Sequence, residues 1–386
     1  MKKIFFVTHL ASNQLTWEST KQIIDAVVEE SINQHRISVI DFSEIAQLEK
    51  QSGKISIVLY TPVLRQYVVK NLKKILYSCD VTYHISIFAN LLTQTYHWAP
   101  ILFELKGEKV QFICACQSAR KQAQVLLGKE VDAQVIPYPV KQHFFMGNKL
   151  TKRKNNFLFA GRLNGSKGFQ ATVSSFLQAR KINSSIVLHI CGGLSTSSEL
   201  IWEMTDNIYE LKNWLDLVLE QNKDCIHYYP KMGEEDFLQL LDKVECLITP
   251  SMYHDEDFGL TVAQAVLRNC DVILTNWGGY RDHIQNFDLI PLDVQKTDRG
   301  PTFNTRTLRN KILAYNFSEE RVSKNSKVGK DKFSAETFYT NLEKVVSESL
   351  EATFDLKGLF VEVLAHPLDK KRDESLKLYR DIYEEY

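Results

Sequence analysis

Short, continuous apolar runs alternate along the whole chain with longer stretches whose apolar residues fall three and four apart, and this alternation narrows the fold more than any other feature. The runs KKIFFVTHL, RISVIDF, KISIVLYTP, VTYHISIF, VQFICACQ and AQVIPYPV are each bounded by polar residues. A strand that is apolar on both faces must be covered on both faces, and a parallel sheet flanked by helices does this. Between the runs lie TWESTKQIIDAVVEESI and VLRQYVVKNLKKILYSC, which carry the spacing of amphipathic helices. Repetition of strand, helix and strand predicts a doubly wound α/β sandwich.

The series pauses at GNKLTKRKNN, residues 147–156, a polar and basic stretch that reads as a solvated linker. It resumes with FLFAGRL, SSIVLHICGG, CIHYYPKM, CLITPS, DVILTNWGG and FDLIPLDV as strands. The helices of this second series are FQATVSSFLQAR, EEDFLQLLDKV and LTVAQAVLRN, with a helical insertion over 195–221 and a further helix, SAETFYTNLEKVVSESL, over 334–350. At 386 residues the chain exceeds one ordinary core. The predicted division is a Rossmann-like domain over 1–150, a second over 151–350, and a helical tail over 351–386 that packs back on the first.

Forty-seven Lys and Arg balance 47 Asp and Glu, which removes the electrostatic case for a dedicated nucleic-acid binder. With 44% apolar and 24% charged residues the composition is that of a soluble globular protein. Of the seven cysteines only Cys114 and Cys116 lie close together, and no second pair exists to complete a zinc site, so they read as core residues in a reducing cytoplasm. No run approaches the roughly 18 apolar residues that span a bilayer, and from the short apolar segment of MKKIFFVTHLA no export signal is expected. A cytoplasmic location is expected, with contact at the inner face of the membrane limited to peripheral docking.

In open α/β sheets ligands bind beyond the carboxyl ends of the strands, so the turns there carry most weight. In FLFAGRLNGSKGF, Gly161 and Arg162 end a strand, and Lys167 and Gly168 open a helix five residues later. Arginine offers a planar fork, lysine a compact charge and the helix start oriented N–H groups, which together outline a diphosphate clamp. Two solvated cations on an exposed turn, outside the core, fit this stretch equally well when it is taken alone. In EDFGLTVAQAV a helix is expected from near Phe258, with the amides of Phe258, Gly259 and Leu260 open to a ligand and Glu256 and Asp257 just outside. Gln264 stands eight positions after Glu256, two turns on, so both polar groups could line one crevice. The competing reading is a carboxylate-rich helix start with Gln264 satisfied internally. TNWGGYRDHI supplies a double glycine that could serve as a tight turn only.

Taken together, GRLNGSKG, CGG, YYPKMGEEDFLQLLDKVECLITPS, EDFGLTVAQA and VILTNWGG, over residues 155–284, resemble the retaining glycosyltransferases marked by Glu-x7-Glu: glycosyltransferase family 4, or glycosyl transferases group 1. The resemblance implies a GT-B fold, two Rossmann-like domains facing a central cleft. It implies transfer of a sugar, with retention, from a nucleotide-sugar donor to a hydroxyl of a sugar, lipid-linked or protein acceptor in polysaccharide, glycolipid or glycoconjugate synthesis. A UDP-sugar is favoured over a GDP-sugar, and neither cofactor nor metal is expected. By the same resemblance Arg162 and Lys167 hold the diphosphate beside Gly161, and Glu256 contacts sugar hydroxyls. Asp257, Phe258, Gly259 and Leu260 line the donor site, and Gln264 replaces the second Glu at the ribose.

Departures are equally specific. VTHLASNQLTW stands where the family often has a Gly-Gly loop, and Asn269 stands for the glycine after the EDFG helix. The family's active-site histidine has His84 as its candidate, at an expected strand end, with His9 and His97 behind it. Two rival readings share the scaffold: a nucleotide-sugar epimerase, and a sugar-nucleotide-binding pseudoenzyme.

Overall fold

The computed structural model describes residues 3–8, 18–31, 37–61, 64–88, 91, 95–146, 154–195, 208–253, 256–297, 300–348, 350–357 and 360–361. Most of the expected linker, His9 and the tail beyond residue 361 lie outside them. The chain forms two compact units, Met1–Lys141 with Lys332–Tyr386, and Gln142–Asp331.

In the first unit the apolar runs become β1 (Lys3–Thr8), β2 (Ile37–Asp41), β3 (Gly53–Leu59), β4 (Cys79–Ile87), β5 (Lys109–Cys114) and β6 (Ala133–Val135). They form one sheet in the order β2-β1-β3-β4-β5-β6, every pairing parallel. Helices α1 (Glu18–Ser31), α2 (Gln66–Ile75), α3 (Thr95–Leu105) and α4 (Gln117–Leu127) connect the strands. Phe6, Ile55, Ile57, Val58 and Phe112 are fully buried, as strands covered on both faces require. Cys114 and Cys116 are buried free thiols, and Cys116 Sγ caps α4 by accepting from the Ala119 amide at 3.3 Å.

The second unit repeats the plan. Its strands β7 (Asn156–Ala160), β8 (Val187–Cys191), β9 (Ile226–Tyr229), β10 (Cys246–Thr249), β11 (Asp271–Thr275) and β12 (Ile290–Leu292) lie in the order β12-β11-β10-β7-β8-β9, again all parallel. Helices α5 (Phe169–Arg180), α6 (Ile208–Gln221), α7 (Glu234–Lys243), α8 (Leu260–Leu267) and α9 (Tyr280–Asn286) cover it. The insertion expected over 195–221 is helical from Ile208; residues 196–207 lie outside the described set. After α9 come α10 (Thr305–Ala314) and α11 (Glu319–Lys332), which the apolar pattern did not announce. The reason lies in α11, EERVSKNSKVGKDK, which is polar along most of its length. A buried ion pair ties it down: Arg321 grips Asp271 of β11 through Nε to Oδ1 at 2.8 Å and Nη2 to Oδ2 at 2.7 Å.

The boundary between the units corrects the division expected from sequence. The helix Ala335–Ser347 belongs to the first unit, where Tyr339 donates its hydroxyl to Val27 O at 2.8 Å and Val346 O accepts from Ser56 Oγ at 3.3 Å. Phe338, Tyr339, Leu342 and Val346 of this helix are buried there. No described helix is long and apolar enough to cross a membrane.

Candidate functional site

A doubly wound sheet opens a crevice where successive connections leave in opposite directions. In the second unit that point lies between β7 and β10, so the loops after these two strands face each other across it. The first loop carries Gly161, Arg162 and Lys167; the described residues of the second are 250–253 and 256–259. The structure joins them directly, because Lys167 Nζ donates to Glu256 Oε2 at 2.6 Å. Arg162 Cζ and Lys167 Nζ both lie over the Tyr253 ring, at 4.6 and 4.5 Å from its centroid. Ser166 O accepts from the Met252 amide at 2.8 Å and sets the register of the two loops.

Glycines permit this approach. A Cβ on Gly168, at φ +70°, would stand 2.6 Å from Pro250 O. The double glycine expected to be a plain turn is part of the site's frame. A Cβ on Gly278 would come to 2.6 Å from Glu256 O, and one on Gly279 to 2.4 Å from Asp257 O, while the Gly279 amide donates to Glu256 O at 2.7 Å. The β11–α9 turn thus holds the Glu256 backbone in place. His283 of α9 adds a second tie, its Nε2 lying 2.6 Å from Phe258 O.

Glu256 is 9% exposed. Burial alone would raise its carboxyl, but the Lys167 charge and hydrogen bonds from Lys167, Ser251 and Tyr280 outweigh burial and hold the carboxyl below the usual carboxylate range. Tyr280 responds in the opposite sense: burial and the neighbouring Glu256 charge push its hydroxyl well up, and it pairs with Thr249 Oγ1 at 2.8 Å. The arrangement presents a buried carboxylate, two cations and a protonated phenol at one strand-end crevice.

Several expectations change here. Lys167 is not a loose cation on a turn, because its ammonium is paired with the buried Glu256 carboxylate. Helix α8 starts at Leu260 rather than Phe258, after Gly259 in the left-handed region at φ +78°. Glu256 therefore precedes the helix by four residues, and the two-turn phase relation with Gln264 does not hold. Gln264 is 3% exposed, in a helix of which every residue but Thr261 is buried. Asn269 adopts the left-handed conformation at φ +56°, closing α8 as its replacement of glycine requires. The Asn269 amide donates to Val266 O at 3.1 Å and the Cys270 amide to Ala265 O at 2.9 Å.

His84 does not reach a strand end. It lies within β4 with no exposure, Nε2 3.1 Å from Ser56 Oγ and Nδ1 2.8 Å from Gln111 Oε1, and Gln111 donates onward to Asp132 at 2.7 Å. Both ring nitrogens are engaged inside the sheet, so His84 is a structural residue of the first unit. His97 lies in the first turn of α3, where burial and then the Arg65 charge lower its pKa. Sequence reasoning missed Tyr253, Ser251, Tyr280 and His283. The segment MYHDEDFG drew attention to its carboxylates, and only contact with the other loops gives the aromatic a role.

All of these loops fall within residues 141–291, which match the family model of glycosyl transferases group 1. This stretch is a glycosyl transferases group 1 domain. No curated protein matches the chain in sequence. Among solved structures the chain is similar to the Anabaena HepE protein in complex with UDP and glucose, at 11% identity and TM-score 0.63, covering 90% of this chain and 99% of that one. It is also similar to a glycosyltransferase from Rickettsia africae at 14% identity and TM-score 0.61, covering 91% and 100% of the two chains. Sucrose-phosphate synthase from Thermosynechococcus elongatus gives 12% identity and TM-score 0.60 over 89% and 98%. Identities this low speak for the fold, which is the GT-B pairing of two parallel six-stranded sheets. With the group 1 domain, the chain is a glycosyltransferase.

Proposed function

We propose that the protein transfers a sugar from a nucleotide-sugar donor, a UDP-sugar in preference to a GDP-sugar, to an acceptor hydroxyl with retention at the anomeric carbon. The observation that carries this reading is the Lys167–Glu256 pair at 2.6 Å, with Arg162 beside it, at the switch point of the group 1 domain. The preference for uridine draws on similar structures that hold UDP with glucose, and UDP-glucose.

In this reading Arg162 and Lys167 stabilise the charge that builds on the diphosphate as the glycosidic bond breaks. Donors fixed in advance are effective here because they need no reorganisation during the reaction, and losing one costs roughly 2.7 to 4 kcal/mol. They supply the positive charge that a metal would otherwise bring. Glu256, held ionised, accepts hydrogen bonds from sugar hydroxyls once Lys167 turns to the diphosphate. The backbone of Asp257, Phe258, Gly259 and Leu260 lines the sugar side. The acceptor is a sugar, lipid-linked or protein hydroxyl, and the product belongs to polysaccharide or glycoconjugate synthesis in the cytoplasm or at its membrane face.

A melting-temperature screen against UDP, GDP, ADP and their sugars tests the donor. A ligand at 100 times its dissociation constant adds roughly 2.7 kcal/mol, and the uridine compounds should give the largest shift. A larger shift with GDP would overturn the base preference. Incubation with donor alone and then with an acceptor panel, followed by proton NMR of the new linkage, should show product only with acceptor and with the donor's anomeric configuration. An isomerised donor without acceptor would favour the epimerase, and an inverted linkage would exclude retention.

A further inference from the structure

Two cations drawn to one place repel each other until an anion arrives. Glu256 answers the charge of Lys167, yet a carboxylate also occupies N–H donors that a diphosphate needs. An aromatic face attracts a cation through its ring quadrupole and takes up none of those donors. Tyr253 is placed to do this for both Arg162 and Lys167, whose charged groups lie 4.6 and 4.5 Å from its ring centroid. Its backbone is fixed from three sides: the Tyr253 amide donates to Ser251 Oγ at 3.2 Å, and Tyr253 O accepts from Trp277 Nε1 at 3.0 Å and from the Glu256 amide at 3.2 Å. Trp277 is itself buried, so the support is rigid.

We propose that Tyr253 is a positioning residue of the transfer reaction, its ring holding Arg162 and Lys167 at the spacing that a diphosphate bridges. This rests on the donor-site reading given above. The ring acts through the two cations and touches no reacting atom, so its effect is largest where diphosphate charge is largest, in the transition state.

The test compares Tyr253→Leu with Tyr253→Phe. Calorimetry measures binding of inorganic pyrophosphate and of UDP, and UDP release from UDP-glucose gives kcat and KM. Tyr253→Leu is expected to lose roughly tenfold in pyrophosphate affinity and in kcat, the scale of two cation–π contacts, with KM moving less. Tyr253→Phe keeps the ring and is expected to stay within about twofold of wild type on every readout. Wild-type behaviour in Tyr253→Leu overturns the proposal, and so does a tenfold loss in Tyr253→Phe, which remains decisive if the leucine variant is unstable. Should wild type bind pyrophosphate but no UDP, GDP or ADP, the glycosyl-transfer reading falls, while the Leu and Phe variants still judge the ring on the pyrophosphate arm. Binding of neither overturns both.

Discussion

Lys167 and Glu256 should fail differently when removed. Lys167→Ala leaves a buried carboxylate without its cation, which is expected to cost about 2 to 4 kcal/mol, below the full cost of a broken buried pair because the lysine keeps some exposure. Glu256→Gln leaves a cation that can still reach water and a side chain that can still accept hydrogen bonds, so about 1 kcal/mol is expected. Urea unfolding of both variants decides, and equal losses would contradict the asymmetry. The pH dependence follows from the same pair. Glu256's folded carboxyl lies below its unfolded value, so its contribution is present above the ordinary carboxylate range and is lost as pH falls through the lowered value. Wild type should therefore lose more unfolding free energy on acidification than Glu256→Gln over the same interval. Gln264→Glu reverses the sign. At 3% exposure a carboxyl there is pushed up by burial, so its penalty should be small at low pH and grow as pH rises, read as a melting-temperature deficit that widens between pH 5 and about pH 8.

At the scale of elements, two loops and one helix depend on contacts between residues far apart in the chain. Gly192 follows β8 at φ +142°, and a Cβ there would stand 1.9 Å from Gly161 O. Gly192→Ala must shift the β7 loop that carries Arg162, so a stability loss of about 2 to 3 kcal/mol together with weakened UDP binding is expected, checked by unfolding and calorimetry. A loss of stability with unchanged binding would show that the two loops move independently. Helix α11 is held to β11 by Arg321, whose partner Asp271 has no exposure. Arg321→Ala leaves that buried carboxylate with the neutral Tyr315 hydroxyl at 3.0 Å but no cation, an expected cost of about 3 kcal/mol by guanidinium unfolding.

At the scale of the molecule, the first unit is discontinuous in sequence. Its core takes Phe338, Tyr339, Leu342 and Val346 from a helix that follows the whole second unit. Each large apolar side chain stabilises by roughly 1.5 to 3 kcal/mol when buried, so four of them amount to a domain's usual margin. Removing everything after Asp331 should abolish slow hydrogen exchange in β1, β3 and β4 and leave it in β7, β10 and β11. Uniform loss across both sheets would show that the two units unfold as one.

The sequence by itself determined the two parallel sheets, most strand positions and the place of Arg162, Lys167 and Glu256 in the turns after strands, because apolar runs and residues after strand ends follow from local pattern and chain order. It could not place the helix Ala335–Ser347 with the first sheet, since an amphipathic helix reveals that it has a buried face but not which core covers it. It put His84 at a strand end, whereas its ring lies between Ser56 and Gln111 of adjacent strands, a neighbourhood set by sheet register. It treated Gly278 and Gly279 as a turn, although the carbonyls of Glu256 and Asp257 stand where their side chains would be. The ring of Tyr253 beneath two cations, and Lys167 against Glu256 across 89 residues, exist only because β7 and β10 are neighbours in space. Local pattern carries periodicity and chemistry; pairings between distant residues depend on strand order, which tertiary packing alone decides.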